Sequence, residues 1–105
     1  MFTSHWDVVV GRNRLTLSER KTGKRVERPA RYPFSSDLLL VSQREMLEQE
    51  FRELVIEMIG KRRLLLYPHL HVTAAAASLE PLERDAIRGA FLDAGCSKVS
   101  FPDEE

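Results

Sequence analysis

One cysteine, Cys96, is the only thiol in this 105-residue chain, so no internal disulfide can close. Glycine and proline number five each and aromatic residues make up 8%, which excludes collagen-like and low-complexity architectures. The longest apolar stretches, Val8 to Val10, Leu38 to Val41, Leu64 to Tyr67 and Val72 to Ala77, fall far short of the roughly 20 residues that cross a bilayer as a helix. Met1 to Asp7 carries no basic start followed by an apolar segment of signal-peptide length. Together with the single thiol, this sets a cytoplasmic location as the expectation. The formal net charge is zero, which removes any overall attraction to nucleic acid or an acidic membrane.

What remains is 43% hydrophobic and 30% charged residues, the composition of one globular domain spanning residues 1–105. The charge is unevenly distributed. Residues 1–31 hold eight Lys/Arg against Asp7, Glu19 and Glu27, and the rest of the chain carries the compensating acidity. Such a split serves either a polyanion on one face or attraction between the two halves of the domain.

Trp6 to Val10 and the alternating Leu15 to Arg20 have the period-two pattern of half-buried strands. Gly11-Arg12-Asn13-Arg14 joins them as a tight turn, with Gly11 and Asn13 available for positive φ. A second turn at Lys21 to Lys24 leads to a third strand over Arg25 to Arg31, with Val26 pointing inward and Pro29 and Pro33 confining it to a sheet edge. Ser42 and Glu45 have the spacing of a capping box. Leu47, Phe51, Leu54, Val55 and Met58 then recur at helical period, Glu48 faces Arg52 one turn on, and Gly60 stops the helix. His69 to Ala76 reads as a central strand, and Pro81 opens a second helix with a stripe of Leu82, Ala86, Ala90 and Ala94 broadened by Ile87 and Phe91. Gly95 ends that helix, and Val99 and Phe101 mark a last strand before an acidic tail. The order is βββαβαβ.

Leu82-Glu83-Arg84-Asp85-Ala86-Ile87-Arg88, then Ala94-Gly95-Cys96-Ser97-Lys98-Val99 and Glu104-Glu105, resemble the V-E-R-R-A-I-R, A-G-A-R-E-V and acidic pair of the bacterial rod-shape-determining actin homologues, the MreB family. Met46-Leu47 and Phe51 follow that family's M-L-x-x-F-I pattern in outline, and the likeness covers residues 38–105. The resemblance implies an α/β fold with an α+β-like start: one ribonuclease H-like, actin-type half-domain. Its mixed five-stranded sheet would run in the order 3-2-1-4-5, with two helices on one face.

The same family carries Asp-Leu-Gly-Thr in its first hairpin, where nucleotide phosphate and a metal's water shell are held. With Gly11 on the motif's glycine, Val9 stands for the Asp and Arg12 for the Thr, while Asp7 lies on the same strand face about 7 Å away. The family's Val-Pro-x-Gly turn is replaced by Thr73-Ala74-Ala75-Ala76-Ala77-Ser78. The expectation is therefore a non-catalytic module with no cofactor. It would bind a protein partner or a second copy of itself through an exposed sheet face or edge, with a cell-shape or cytoskeletal partner implied by the resemblance. The alternative is a vestigial nucleotide or nucleic-acid binder that uses the basic meander, including Arg12, Arg14 and Lys21 to Arg31.

Other chemistry-bearing residues are few. His69 and His71 share a strand face by their spacing, but no third ligand lies nearby in sequence, and only tertiary structure would recruit His5 or Cys96. No metal site is expected. Cys96 near a helix C-terminus is not activated as a nucleophile. Lys61-Arg62-Arg63 complements the end of the first helix.

Overall fold

Trp6, Val8 and Val10 alternate with His5, Asp7 and Val9, and this alternation decides which side of the sheet becomes the core. The computed structural model describes residues 4–60, 68–74 and 79–102. Five strands are present: β1 (His5–Gly11), β2 (Arg14–Glu19), β3 (Arg25–Pro29), β4 (His69–Ala74) and β5 (Lys98–Ser100). Helix α1 (Arg44–Ile59) lies between β3 and β4, and α2 (Pro81–Asp93) between β4 and β5. The sheet order is β3-β2-β1-β4-β5, antiparallel through β1, β2 and β3 and parallel where β4 joins β1 and β5. This is the mixed 3-2-1-4-5 sheet expected from the sequence, in a compact α+β arrangement with two helices.

Both helices pack on one face. Leu47, Phe51, Leu54, Val55 and Met58 of α1 are buried with Ile87, Ala90 and Phe91 of α2 against Trp6, Val8, Val10, Leu15, Leu17, Leu70, Val72 and Val99. The rings of Phe51 and Phe91 meet at 4.7 Å between centroids, joining the two helices at the centre of the core. Gly60 takes φ 70° and donates its N–H to the Ile56 carbonyl at 2.8 Å, ending α1 where expected. Arg52 pairs with Glu48 at 2.9 Å on the outer side of the helix.

Three local expectations are corrected. The Ser42 and Glu45 capping box does not form: α1 begins at Arg44 after Gln43, and the Ser42 hydroxyl is bonded instead to the Phe34 carbonyl. The N–H groups of Ser42 and Gln43 go to that same carbonyl, at 2.7 and 3.1 Å, so the loop claims the residues that would have capped the helix. Leu82 does not belong to the inward stripe of α2; it is 82% exposed, and Glu83 is buried in its place. Gly11 is an ordinary strand residue paired with Arg14, and Asn13 alone supplies the positive φ of the turn, at 49°.

Two buried carboxylates explain how the long connection from β3 to α1 is held. Glu50, fully buried, accepts from Arg28 Nε at 2.8 Å and from the backbone N–H groups of Arg31 and Tyr32 at 3.0 and 3.3 Å. Burial works against the Arg28 cation, and its bond and charge interaction with Glu50, aided by Glu57, more than restore it. Glu83 accepts from the N–H groups of Leu40 and Val41 at 2.8 and 3.1 Å and from that of Glu80 at 3.1 Å. Each carboxylate sits at an inward helical position and satisfies backbone donors of an irregular segment.

Replacing Glu50 by alanine removes the acceptor of Arg28 Nε, leaving Glu57 at 3.1 Å as the carboxylate that still pairs with the cation, and strands two backbone donors. We expect Glu50→Ala to lose about 3 kcal/mol of unfolding free energy in urea denaturation, whereas alanine at an exposed carboxylate such as Asp85 loses less than about 0.5 kcal/mol. Equal effects at the two positions would contradict this role.

Candidate functional site on the uncovered sheet face

The face opposite the helices is polar. His5, Asp7 and Val9 of β1 stand beside His69, His71 and Thr73 of β4, because the parallel register pairs His5 with His69, Asp7 with His71 and Val9 with Thr73. Arg14, Thr16 and Ser18 of β2, Arg25 and Glu27 of β3, and Lys98 and Ser100 of β5 extend the same surface across the sheet. Arg14, Arg20, Arg25 and Lys98 set four cations against two carboxylates, Asp7 and Glu27, on this face. The helical layer has the reverse balance: four arginines against eight Asp/Glu in α1 and α2, of which Glu50 and Glu83 are buried. The charge split seen along the sequence is thus also a split between faces.

At the N-terminal end of the β1–β4 pair, three imidazoles meet. His5 Nδ1 lies 2.9 Å from His71 Nε2 in a ring-to-ring hydrogen bond, and His69 Nε2 lies 2.7 Å from the Ser100 hydroxyl. Ring centroids are separated by 4.2 Å for His69 and His71 and by 5.2 Å from His5 to each of them. One nitrogen from each ring lies within 4.8 Å of the others. All three residues are half-buried. His69 and His71 were legible as a pair from their spacing; His5 joins them only through the β1–β4 register, and no sequence-local signal announces it.

Asp7 is held beside this cluster by Arg20, which donates from Nε and Nη2 to the two carboxylate oxygens at 2.9 Å each. These hydrogen bonds hold the Asp7 carboxyl below its usual range against a smaller opposing effect of burial, with the Arg20 charge and then His71 and His5 adding to the lowering. Glu27 is also held below its usual value of 4.5, first by the Thr16 hydroxyl at 2.8 Å, then by the hydrogen bond from Arg14. Arg14 Nη2 lies 3.3 Å from Glu27. Cys96 is on the other side of the sheet, buried, and burial pushes its thiol up to about 12, so it takes no part in the site.

The first hairpin turn is occupied by the chain itself. Asn13 Oδ1 accepts from the N–H groups of Phe34 and Ser35 at 2.9 and 2.8 Å, and Asn13 N–H donates to the Ser35 hydroxyl at 2.9 Å. Arg12 donates to the Ser36 carbonyl. The Asn13 N–H and the Arg12 and Asn13 side chains of this turn are thus engaged with residues 34–36. Val9 lies on the open face with Asp7, as its spacing requires. Lys61-Arg62-Arg63, the acidic tail and the greater part of the Thr73 to Ser78 turn lie outside the described residues.

No family model and no curated protein matches this sequence. Among the described residues no helix is long and apolar enough to cross a membrane.

The Thr16 to Glu27 bond gives a pH-dependent outcome. A carboxyl whose folded pKa is lowered stabilises the fold above its unfolded value, and that contribution disappears as pH falls through the lowered folded value. Thr16→Val removes the leading cause, so the Glu27 carboxyl midpoint, followed by carbon NMR, is expected to rise toward 4.5. An unmoved midpoint would show that the hydroxyl is not the cause.

Proposed function

We propose that this chain is a non-catalytic protein-binding module of the cytoplasm, built on an actin-type, ribonuclease H-like half-domain, whose uncovered sheet face receives an acidic surface of a partner protein. The observation that carries this reading is the separation of faces. Among the described residues both helices cover one side of the sheet, and the other side presents Arg14, Arg20, Arg25 and Lys98 together with the polar cluster of His5, Asp7, His69 and His71. Electrostatic complementarity on such a face gives specificity and association rate more than large affinity. An obligate homodimer buries a largely apolar interface. This face, with its histidines, carboxylates and hydroxyls, is better suited to a reversible partner of opposite charge.

The likeness of residues 82–101 to MreB sequences points to a cell-shape or cytoskeletal protein as that partner. Two features support a lost nucleotide function. Val9 replaces the Asp of the family turn, and the donors of the Arg12-Asn13 turn are committed to residues 34–36. An apolar side chain cannot orient a metal's water shell, and a turn whose Asn13 N–H and Arg12 guanidinium already donate to residues 35 and 36 has fewer donors to offer a phosphate.

The reading is checked by titrating isotope-labelled protein with an oligoglutamate peptide, a short RNA and magnesium ATP in separate arms. The acidic peptide is expected to shift amides of Arg14, Thr16, Arg25, Glu27 and Lys98, with affinity lost at high salt and reduced at least about tenfold in the Arg14→Glu, Arg25→Glu double variant. Tighter binding of RNA than of peptide, or ATP-induced shifts over Gly11 to Arg14, would overturn the reading in favour of a nucleic-acid or nucleotide binder. Concentration-dependent doubling of mass in light scattering, lost in the same double variant, would make a second copy the occupant and overturn it as well.

A further inference from the structure

We infer that His5, His69 and His71 form a binding site for a divalent late-transition-metal ion of the zinc class, with a fourth coordination position open on the uncovered face. Among the described residues this is the one group of histidine, cysteine and acidic side chains placed closely enough to hold such an ion. The argument begins with the donor set. Three imidazoles offer neutral nitrogen ligands, which suit zinc, copper or nickel, whereas magnesium and calcium require oxygen donors.

The geometry is close to what the ion requires. Tetrahedral zinc with Zn–N bonds of about 2.0–2.1 Å separates neighbouring ligand atoms by about 3.3 Å. His5 Nδ1 and His71 Nε2 stand 2.9 Å apart, one donating and the other accepting, so a lone pair and a proton already meet where the two nitrogens would share a metal. Binding an ion moves the shared proton to the donor ring's remote nitrogen, opens the pair by about a few tenths of an ångström and turns both rings so that their lone pairs converge on the metal instead of on each other. The third ring is already beside them, and one nitrogen of each of the three rings lies within 4.8 Å of the others.

The scaffold is also suitable. β1 is the central strand of the sheet and β4 its parallel interior neighbour, so the ligands sit on paired strands rather than on loops. The Ser100 hydroxyl on His69 Nε2 at 2.7 Å orients that ring from outside, as hydrogen bonds commonly do for ligating histidines. Asp7, paired in register with His71 and clamped by Arg20, places a carboxylate near the position of the added positive charge. With three protein ligands on an exposed face, the fourth position goes to water or an incoming donor. The site does not depend on the proposed partner, and metal binding and peptide binding can succeed or fail separately.

The test uses tag-free protein, zinc chloride and cobalt chloride. The chain contains three histidines, so every imidazole nitrogen signal in an NMR spectrum belongs to this site. Zinc is expected to bind one ion per chain with micromolar or tighter affinity, to move all three imidazole signals together, and to raise the thermal midpoint with zinc concentration. His5→Gln, His69→Gln and His71→Gln should each weaken binding at least about tenfold, and Ser100→Ala about tenfold through ring orientation. Cobalt should give the intense visible bands of a four-coordinate site in the unaltered protein, a readout that stands even where a variant fails to fold. Absence of binding at millimolar zinc, independent movement of single imidazoles, several weak ions per chain, or only the pale spectrum of six-coordinate cobalt would each overturn the inference.

Discussion

The parallel pairing of β1 with β4 is the constraint on which the rest of the molecule depends. In this register Trp6 lies beside Leu70, and Val8 beside Val72, on the face that the helices cover. The alternate residues, His5, Asp7, His69 and His71, are thereby sent to the open face. A slip of one residue in either strand would put imidazoles into the core and valines into water, so the core and the histidine cluster are fixed by one set of backbone hydrogen bonds. The apolar alternation enforces the register, and the polar site is its consequence on the other side of the sheet.

The second organising device is the use of buried carboxylates as backbone acceptors. Glu50 and Glu83 stand in inward helical positions where hydrophobic residues would ordinarily be found. They hold Arg31, Tyr32, Leu40 and Val41, so the irregular stretch before α1 is tied to both helices. Asn13 does the same from the hairpin by binding Phe34 and Ser35. This loop is therefore held by specific polar bonds at both ends. The hairpin turn that an actin-like ATPase would open to phosphate is closed here by the same stretch of chain.

These features explain what could be read from the sequence. The faces of α1 follow from strong periodicity: Leu47, Phe51, Leu54, Val55 and Met58 leave no ambiguity of phase, and all five are buried, whereas the sheet order rests on the family resemblance and not on local spacing. In α2 the small residues Ala86, Ala90 and Ala94 fit more than one stripe, and a glutamate at the inward phase is only sensible once its partners Leu40 and Val41 are known, so spacing alone puts Leu82 on the wrong side. The cap at Ser42 failed for a similar reason, because the competing acceptor, the Phe34 carbonyl, is a tertiary neighbour. His69 and His71 were visible as a pair, while His5 is far away in sequence and comes to them only through strand pairing. Long-range register is what local spacing cannot encode, and the candidate site consists largely of it.

The central claim is that one strand register produces both the core and the imidazole cluster. The most direct measurement is a proton NOE spectrum of the metal-free protein in solution. The account predicts cross-peaks among the ring protons of His5, His69 and His71, together with contacts between the side chains of Val8 and Val72. Valine contacts without histidine contacts, or a pattern displaced by one residue along β4, would contradict it.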